Sequence, residues 1–250
     1  MGKADREKSA RDRIKQQQAE ERAREKRKKI VTYVTAGVVA LAAVGAGYWF
    51  NASRTQTEEA AAAALAPITV AADGSIVMAK QGVEKPVLDV YEDFQCPACR
   101  EFESVSGQTF KNLAYEGKAK VVYHPLTIFS MEPTKGNSER AGAAAMCIPG
   151  GSQWMAFHDK LFEEQPPETV EGFKVDDMVG WGEEVGVTTP GFADCVRNQS
   201  KLAAHTAFSN AQLESAKIQG TPTIKLNGTQ LEGNQLTPDG LRQAVQDAAK

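Results

Sequence analysis

Two cysteines separated by two residues, Cys96-Pro97-Ala98-Cys99, are the part of this sequence best equipped for chemistry. They sit where a strand-like run, Val87-Leu88-Asp89-Val90-Tyr91, gives way to a helix-like run from Arg100 to about Leu113. Thiols three positions apart at a helix start face each other across one turn, near enough to close a small disulfide ring. The helix N-terminus adds partial positive charge and unpaired N–H groups, and both stabilise a thiolate on the first cysteine. In such settings the thiol pKa falls from about 8.5 to between roughly 3.5 and 7.5. Cys96, at an exposed tip, is the expected nucleophile, and Cys99, one turn in, the expected buried resolving thiol. Pro97 suits the first helical turn, where its missing N–H is no loss. A CxxC pair alone also fits half of a zinc site or an inert structural disulfide.

A second stretch narrows the choice. Gly220-Thr221-Pro222-Thr223 precedes a strand-like Ile224-Lys225-Leu226 and an Asn227-Gly228 turn, and a proline opening a strand there is a candidate cis peptide. Three separated segments, Asp93-Phe94-Gln95-Cys96-Pro97-Ala98-Cys99, the helical Trp154 to Phe162, and Gly220 to Gly228, resemble the DsbA-like branch of the thioredoxin superfamily. The resemblance spans roughly Pro67 to Lys250. It implies that Thr221 and Pro222 lie against the CxxC and hydrogen-bond the substrate peptide. Similarity to actinobacterial members implies a second, structural disulfide between Cys147 and Cys195. The residues themselves leave open two buried free thiols, or a zinc site drawing on all four cysteines.

Two departures from that family pattern stand out. Better-known members carry His before the second cysteine, where this chain has Ala98, which implies a less depressed Cys96 pKa and a less oxidising potential. Many members also carry a buried acid six residues before the first cysteine, and here that position is Val90. Asp93 or Glu92 is the nearest substitute, or water alone serves, and both acids read as surface groups. His124, His158 and His205 read as structural or surface histidines.

The elements that would position these residues follow from the pattern along the 250-residue chain. Residues 1–29 hold twelve Lys and Arg against six Asp and Glu, a charge of +6, while the remainder carries −9. Between them Ile30 to Phe50 has no charged residue, and 21 residues span about 31 Å as a helix, close to a bilayer's hydrocarbon core. Tyr33 and Tyr48-Trp49 fit interfacial aromatic belts, and Lys26 to Lys29 place the N-terminus on the cytoplasmic side. A single transmembrane anchor is expected, with a linker over 51–66 and everything from Asn51 outward extracytoplasmic. All four cysteines fall on that oxidising side.

In the domain over 67–250, apolar runs around Asp73-Gly74 predict a hairpin from Ile68 to Met78. Lys85 to Phe94 predicts the central strand and Ala119 to His124 a parallel neighbour. Helices are expected at Ala141–Cys147, Ser152–Gln165, Asp176–Val185 and Pro190–Lys217, within a helical block over 139–219. A hairpin of 223–226 with 230–232 and a helix at Pro238–Ala249 close the chain. The expected fold class is α/β, a thioredoxin-like fold with an inserted helical subdomain, preceded by a transmembrane helix.

The implied function is a membrane-anchored thiol–disulfide oxidoreductase that introduces disulfides into reduced secreted or envelope proteins. A membrane re-oxidant, DsbB or a vitamin K epoxide reductase homologue, is the implied redox partner. A monomer is expected, with no metal, nucleotide or flavin cofactor and no nucleic-acid partner. The rival readings are a disulfide isomerase or reductase of the same fold, and a non-catalytic binding module in which CxxC is an inert staple.

Overall fold

Val90 and Tyr91 are adjacent in sequence and point into different cores, and this alternation organises the molecule. A computed structural model describes residues 65–250; the basic tail, the uncharged run and most of the linker lie outside the described residues. Among the described residues no helix is long and apolar enough to cross a membrane.

The hairpin β1 (Ile68–Val70) and β2 (Ile76–Met78) forms around Asp73-Gly74 as its turn signal predicts. Strand β3 (Val87–Glu92) leads into the CxxC, and β4 (Lys120–Pro125) pairs with it in parallel. With β5 (Thr223–Leu226) and β6 (Thr229–Gln230) the sheet order is β1-β2-β4-β3-β5-β6, which puts β3 inside the sheet. Leu88, Val90, Val121 and Tyr123 enter the larger core. Tyr91 enters a smaller one with Leu126, Phe208 and Ile218.

The helix after the CxxC is interrupted. It comprises α1 (Pro97–Phe102), a π-helical turn over Glu103–Gly107, and α2 (Gln108–Tyr115). Phe110 and Leu113 of α2 join Leu241 and Val245 of the C-terminal α8 (Pro238–Ala248) in the larger core.

The helical insertion differs from expectation at two points. Its first helix, α3, runs Thr134–Ala145 rather than beginning at Ala141. Gly136, Asn137 and Ser138 are weak helix formers, but tertiary bonds hold them: Asn137 Nδ2 donates to the Val170 carbonyl at 3.0 Å and Ser138 Oγ to Asp93 at 2.7 Å. After α4 (Ser152–Glu163) and α5 (Val175–Glu184), the expected long helix over 190–217 is two. These are α6 (Phe192–Arg197) and α7 (Leu202–Ser215), separated because Gln199 takes a positive φ of 47°. Its neighbour Ser200 N–H then closes back on the Cys195 carbonyl at 2.9 Å, a helix-ending bond. The second strand of the last hairpin is also shorter than expected, Thr229–Gln230.

A disulfide joins Cys147, just past α3, to Cys195 in α6, with Cα atoms 5.9 Å apart. Neither a zinc site shared by all four cysteines nor a pair of free thiols at these positions is therefore present.

Candidate functional site

Cys96 caps α1 in extended conformation and Pro97 is its first helical residue. The cap is held from behind by Cys96 N–H, which donates to the Asp93 carbonyl at 2.9 Å. From the front, Cys99 N–H donates to the Cys96 carbonyl at 3.0 Å. The Cys96 thiol then faces the cis Thr221–Pro222 bond and donates to the Thr221 carbonyl at 3.4 Å. Cys96, Pro97, Ala98, Cys99, Thr221 and Pro222 thus form one site from segments 125 residues apart. Cys96 and Cys99 stand as free thiols.

The exposed tip expected for Cys96 is corrected. The residue is only 6 % exposed, because the Thr221 carbonyl covers its sulfur and the cap turns it inward. Cys99 is fully buried. The two thiols are driven apart electrostatically. Hydrogen bonding from the Cys99 thiol lowers Cys96 to about 6, against the effect of burial. The Thr221 side chain and the N–H groups of Cys99 and Ala98 add to that lowering. Burial, donation to Cys96 and the charge on Cys96 push Cys99 well above the ordinary thiol range. The Thr221 side chain favours ionisation of both sulfurs, and its hydroxyl is buried without a partner in the dithiol form.

Asp93 and Glu92, read from sequence as surface acids, are buried at 0 % and 1 % exposure. Strand β3 ends beneath α1, so its last residues turn into the core rather than out to water. Asp93 Oδ1 accepts from Gln95 N–H at 2.8 Å and Ser138 Oγ at 2.7 Å, and Oδ2 from Ile128 N–H at 2.9 Å. Its own N–H points at Cys99 Sγ, 3.5 Å away. Asp93 therefore ties the loop before Cys96 to α3 and to the segment after β4.

Burial raises Asp93 to about 7, the three hydrogen bonds partly opposing it and the Cys96 charge adding to it. An unfolded aspartate titrates near 4, so the native state holds the extra proton between about 4 and 7, and folding stability falls as pH rises across that window. Asp93→Asn is expected to flatten this decline in urea-unfolding midpoints measured from pH 4 to 8. Equal slopes in both proteins would show that Asp93 does not titrate there.

Several residues that hold the site carry no local signal in the sequence. Gln165, just past α4, donates through Nε2 to the Phe94 carbonyl at 2.7 Å and the Cys96 carbonyl at 3.0 Å. Gln95 Nε2 returns a bond to the Pro166 carbonyl at 2.9 Å. The insertion thereby clamps the nucleophile's backbone from both directions. Beside the thiols lies an open apolar groove of about 360 Å³ bordered by Ala98, Phe102, Val105, Pro222 and Leu236. Val105 is 54 % exposed at its rim. The three histidines are all buried and hydrogen-bonded, His124 to Asp89, His158 to Glu92 and His205 to Thr127.

This arrangement has known counterparts. The sequence-family model described as Thioredoxin matches residues 82–247. No curated protein sequence matches the chain. Among solved structures, the reduced disulfide bond oxidoreductase DsbG from Mycobacterium tuberculosis is 27 % identical with a TM-score of 0.58, over 68 % of this chain and 82 % of that one. Oxidised DsbA from M. tuberculosis is 26 % identical with a TM-score of 0.58, over 73 % and 92 %. MdbA, a thiol-disulfide oxidoreductase from Corynebacterium diphtheriae, shares the fold at a TM-score of 0.61 and 22 % identity, over 74 % and 93 %. With a CxxC at a helix start facing a cis-proline and a family match over most of its length, the chain belongs to the thioredoxin family and stands among its DsbA-like thiol–disulfide oxidoreductases.

Proposed function

We propose that this protein is an extracytoplasmic disulfide donor, held at the membrane by Ile30 to Phe50, that oxidises reduced secreted or envelope proteins through Cys96 and Cys99. The observation that carries the reading is the asymmetry of the two thiols. One sulfur is poised to ionise at neutral pH beside the Thr221 carbonyl, and the other is buried and held protonated. A client thiolate attacks Cys96 of the oxidised pair, the Cys96–Cys99 bond breaks, and the electron pair goes to Cys99, which takes up a proton. A second client thiolate then attacks the mixed disulfide, releasing oxidised client and a Cys96 thiolate. Thr221 backbone groups would align the client as an added strand, and the groove beside Val105 would take its apolar side chains. A quinone-linked membrane protein of the DsbB or vitamin K epoxide reductase type would return the dithiol to the disulfide. An anchor over Ile30 to Phe50 would keep donor and re-oxidant in one plane.

The direction of exchange follows from how far the reduced form is stabilised. A Cys96 pKa near 6 instead of 9 favours the dithiol state by about 1.4 kcal/mol at pH 7, which makes the pair about 30 mV more oxidising. That contribution grows as pH rises from about 6 to 9, because only the folded reduced form is ionised in that window. Equilibration of the Cys96–Cys99 pair against glutathione is expected to give a potential between those of DsbA and protein disulfide isomerase, about −120 to −180 mV. A value near thioredoxin's, about −270 mV, would make the protein a reductase or isomerase instead. A pair that does not equilibrate would leave only a binding module.

A further inference from the structure

Two buried glutamines from distant parts of the chain hold each other's backbone beside the nucleophile. Gln165 Nε2, just past α4, donates to the carbonyls of Phe94 and Cys96 at 2.7 and 3.0 Å. Gln95, the residue between those carbonyls, donates its own Nε2 the other way, to the Pro166 carbonyl at 2.9 Å. Three bonds thus join 94–96 to 165–166, as in a short strand pairing made by side chains. Among the described residues the Phe94 carbonyl has no other donor, and a buried carbonyl left unpaired is costly.

The insertion's side of this clasp is itself anchored. Asn137 of α3 donates to the Val170 carbonyl at 3.0 Å and accepts from Gly172 N–H at 2.9 Å. Arg140, one turn on, donates to the Gly172 and Phe173 carbonyls at 2.8 and 3.3 Å. The segment from Pro166 to Phe173 is therefore tied at both ends, and two prolines stiffen its start. What the clasp fixes at its other side is the peptide geometry of Cys96, an extended cap with φ −77° and ψ 116°. The Cys96 carbonyl takes Gln165 Nε2 from outside the helix together with the N–H groups of Cys99 and Arg100 at 3.0 and 3.2 Å. With that carbonyl held from two directions, ψ of Cys96 is fixed. The N–H groups of Ala98 and Cys99 then keep their aim at the sulfur.

We infer that Gln165 and Gln95 are a positioning pair for disulfide exchange, holding the Cys96 cap in one geometry whether the Cys96–Cys99 bond is closed or open. This rests on the disulfide-exchange reading above, since only a cysteine that cycles needs its cap preserved through bond opening. In the oxidised form the S–S bond itself ties Cys96 to the next helical turn. Once a client sulfur has taken Cys96, that tether is gone, and the clasp remains to keep the cap from relaxing. The pair acts through the backbone, by bonds to carbonyls on either side of residue 95. Asp93, the other acid coupled to Cys96, is held independently by Gln95 N–H, Ser138 Oγ and Ile128 N–H, none of them a glutamine side chain.

The test is iodoacetamide alkylation of Cys96 in the reduced full chain, followed from pH 4 to 9; buried Cys99 does not compete. The wild-type midpoint is expected at about 6. Gln165→Met keeps the length and volume of the side chain but has no donor. Its midpoint is expected at about 7, so that alkylation at pH 6 falls about fivefold. Gln95→Met, which cuts the return bond, is expected to shift the midpoint less in the same direction. The double variant is expected to shift it no further than Gln165→Met alone, because the two side chains act as one unit. A merely structural role would lower Tm and leave the midpoint in place, and that result, or strictly additive shifts, would overturn the positioning pair alone. Wild-type Cys96 that resists alkylation at pH 8 would instead sink the oxidoreductase reading. Hydrogen exchange of the Gln165 side-chain amide in the wild-type protein tests the clasp without relying on a variant's folding. Protection well beyond that of exposed glutamines is expected in both the disulfide and the dithiol form, and its loss in the dithiol form would refute the inference.

Discussion

The Cys99→Ala chain is expected to accumulate covalent adducts with disulfide-bearing client proteins, all through Cys96, while Cys96→Ala accumulates none. The lone Cys96 thiolate attacks a client disulfide, one client sulfur stays on Cys96, and the other leaves as a thiolate. In the wild-type protein Cys99 then attacks the mixed disulfide from within the same helical turn, an intramolecular step favoured by orders of magnitude over an external thiol. Without Cys99 the adduct's only exit is by a second thiol from solution, so it persists. The variant has a second consequence. The Cys99 thiol is the largest cause of the lowered Cys96 pKa, so its removal raises that pKa toward the ordinary thiol value. Adduct formation should therefore be slow at pH 6 and climb steeply between pH 7 and 9, whereas alkylation of wild-type Cys96 is already near its plateau at pH 7. Non-reducing electrophoresis with mass spectrometry reads both. Equal adducts in Cys96→Ala, or none in Cys99→Ala at pH 8.5, would remove Cys96 as the nucleophile.

The largest effect on stability is expected from the other cysteine pair. The Cys147–Cys195 bond spans 48 residues of sequence, and chain-entropy arithmetic for a loop of that length gives about 4 kcal/mol. For a domain of this size that corresponds to a fall of roughly 8–16 °C in Tm. The bond is well placed to matter, because α6 is only six residues long and contributes few anchors, chiefly Phe192 and Val196. Phe192 packs edge-on against Phe157 of α4, and a Cβ on Gly182 of α5 would meet its ring at 2.3 Å. Thermal unfolding of a Cys147→Ser/Cys195→Ser chain should be compared with its parent in a Cys96→Ala/Cys99→Ala background, so that the CxxC redox state does not intrude. A loss below about 1 kcal/mol would mean that packing around Phe192 holds the insertion and the disulfide adds little.

Residues whose role depends on near neighbours in sequence were legible without the structure. Cys96, Pro97 and Cys99 announce themselves because one helical turn sets their geometry. The Asp73-Gly74 and Asn227-Gly228 turns and the β3–β4 pair were readable for the same reason, since turn chemistry and strand periodicity are local. The cysteine types and their order, with the Thr221-Pro222 pair, sufficed to point to disulfide exchange.

Burial was decided by tertiary structure. Asp93 and Glu92 are acids at a strand end, and composition alone assigns such residues to water. They are buried because Ser138, Ile128 and His158, 35 to 66 residues away in sequence, arrive to hydrogen-bond their carboxylates. The same holds for Gln165, whose two bonds to the active-site backbone exist only once α4 has docked. The π-helical turn that brings Glu103 inward has no local propensity signal either. A sequence specifies which groups can titrate or react, whereas the desolvation and charge neighbours that set their pKa values come from chain segments brought together only by folding.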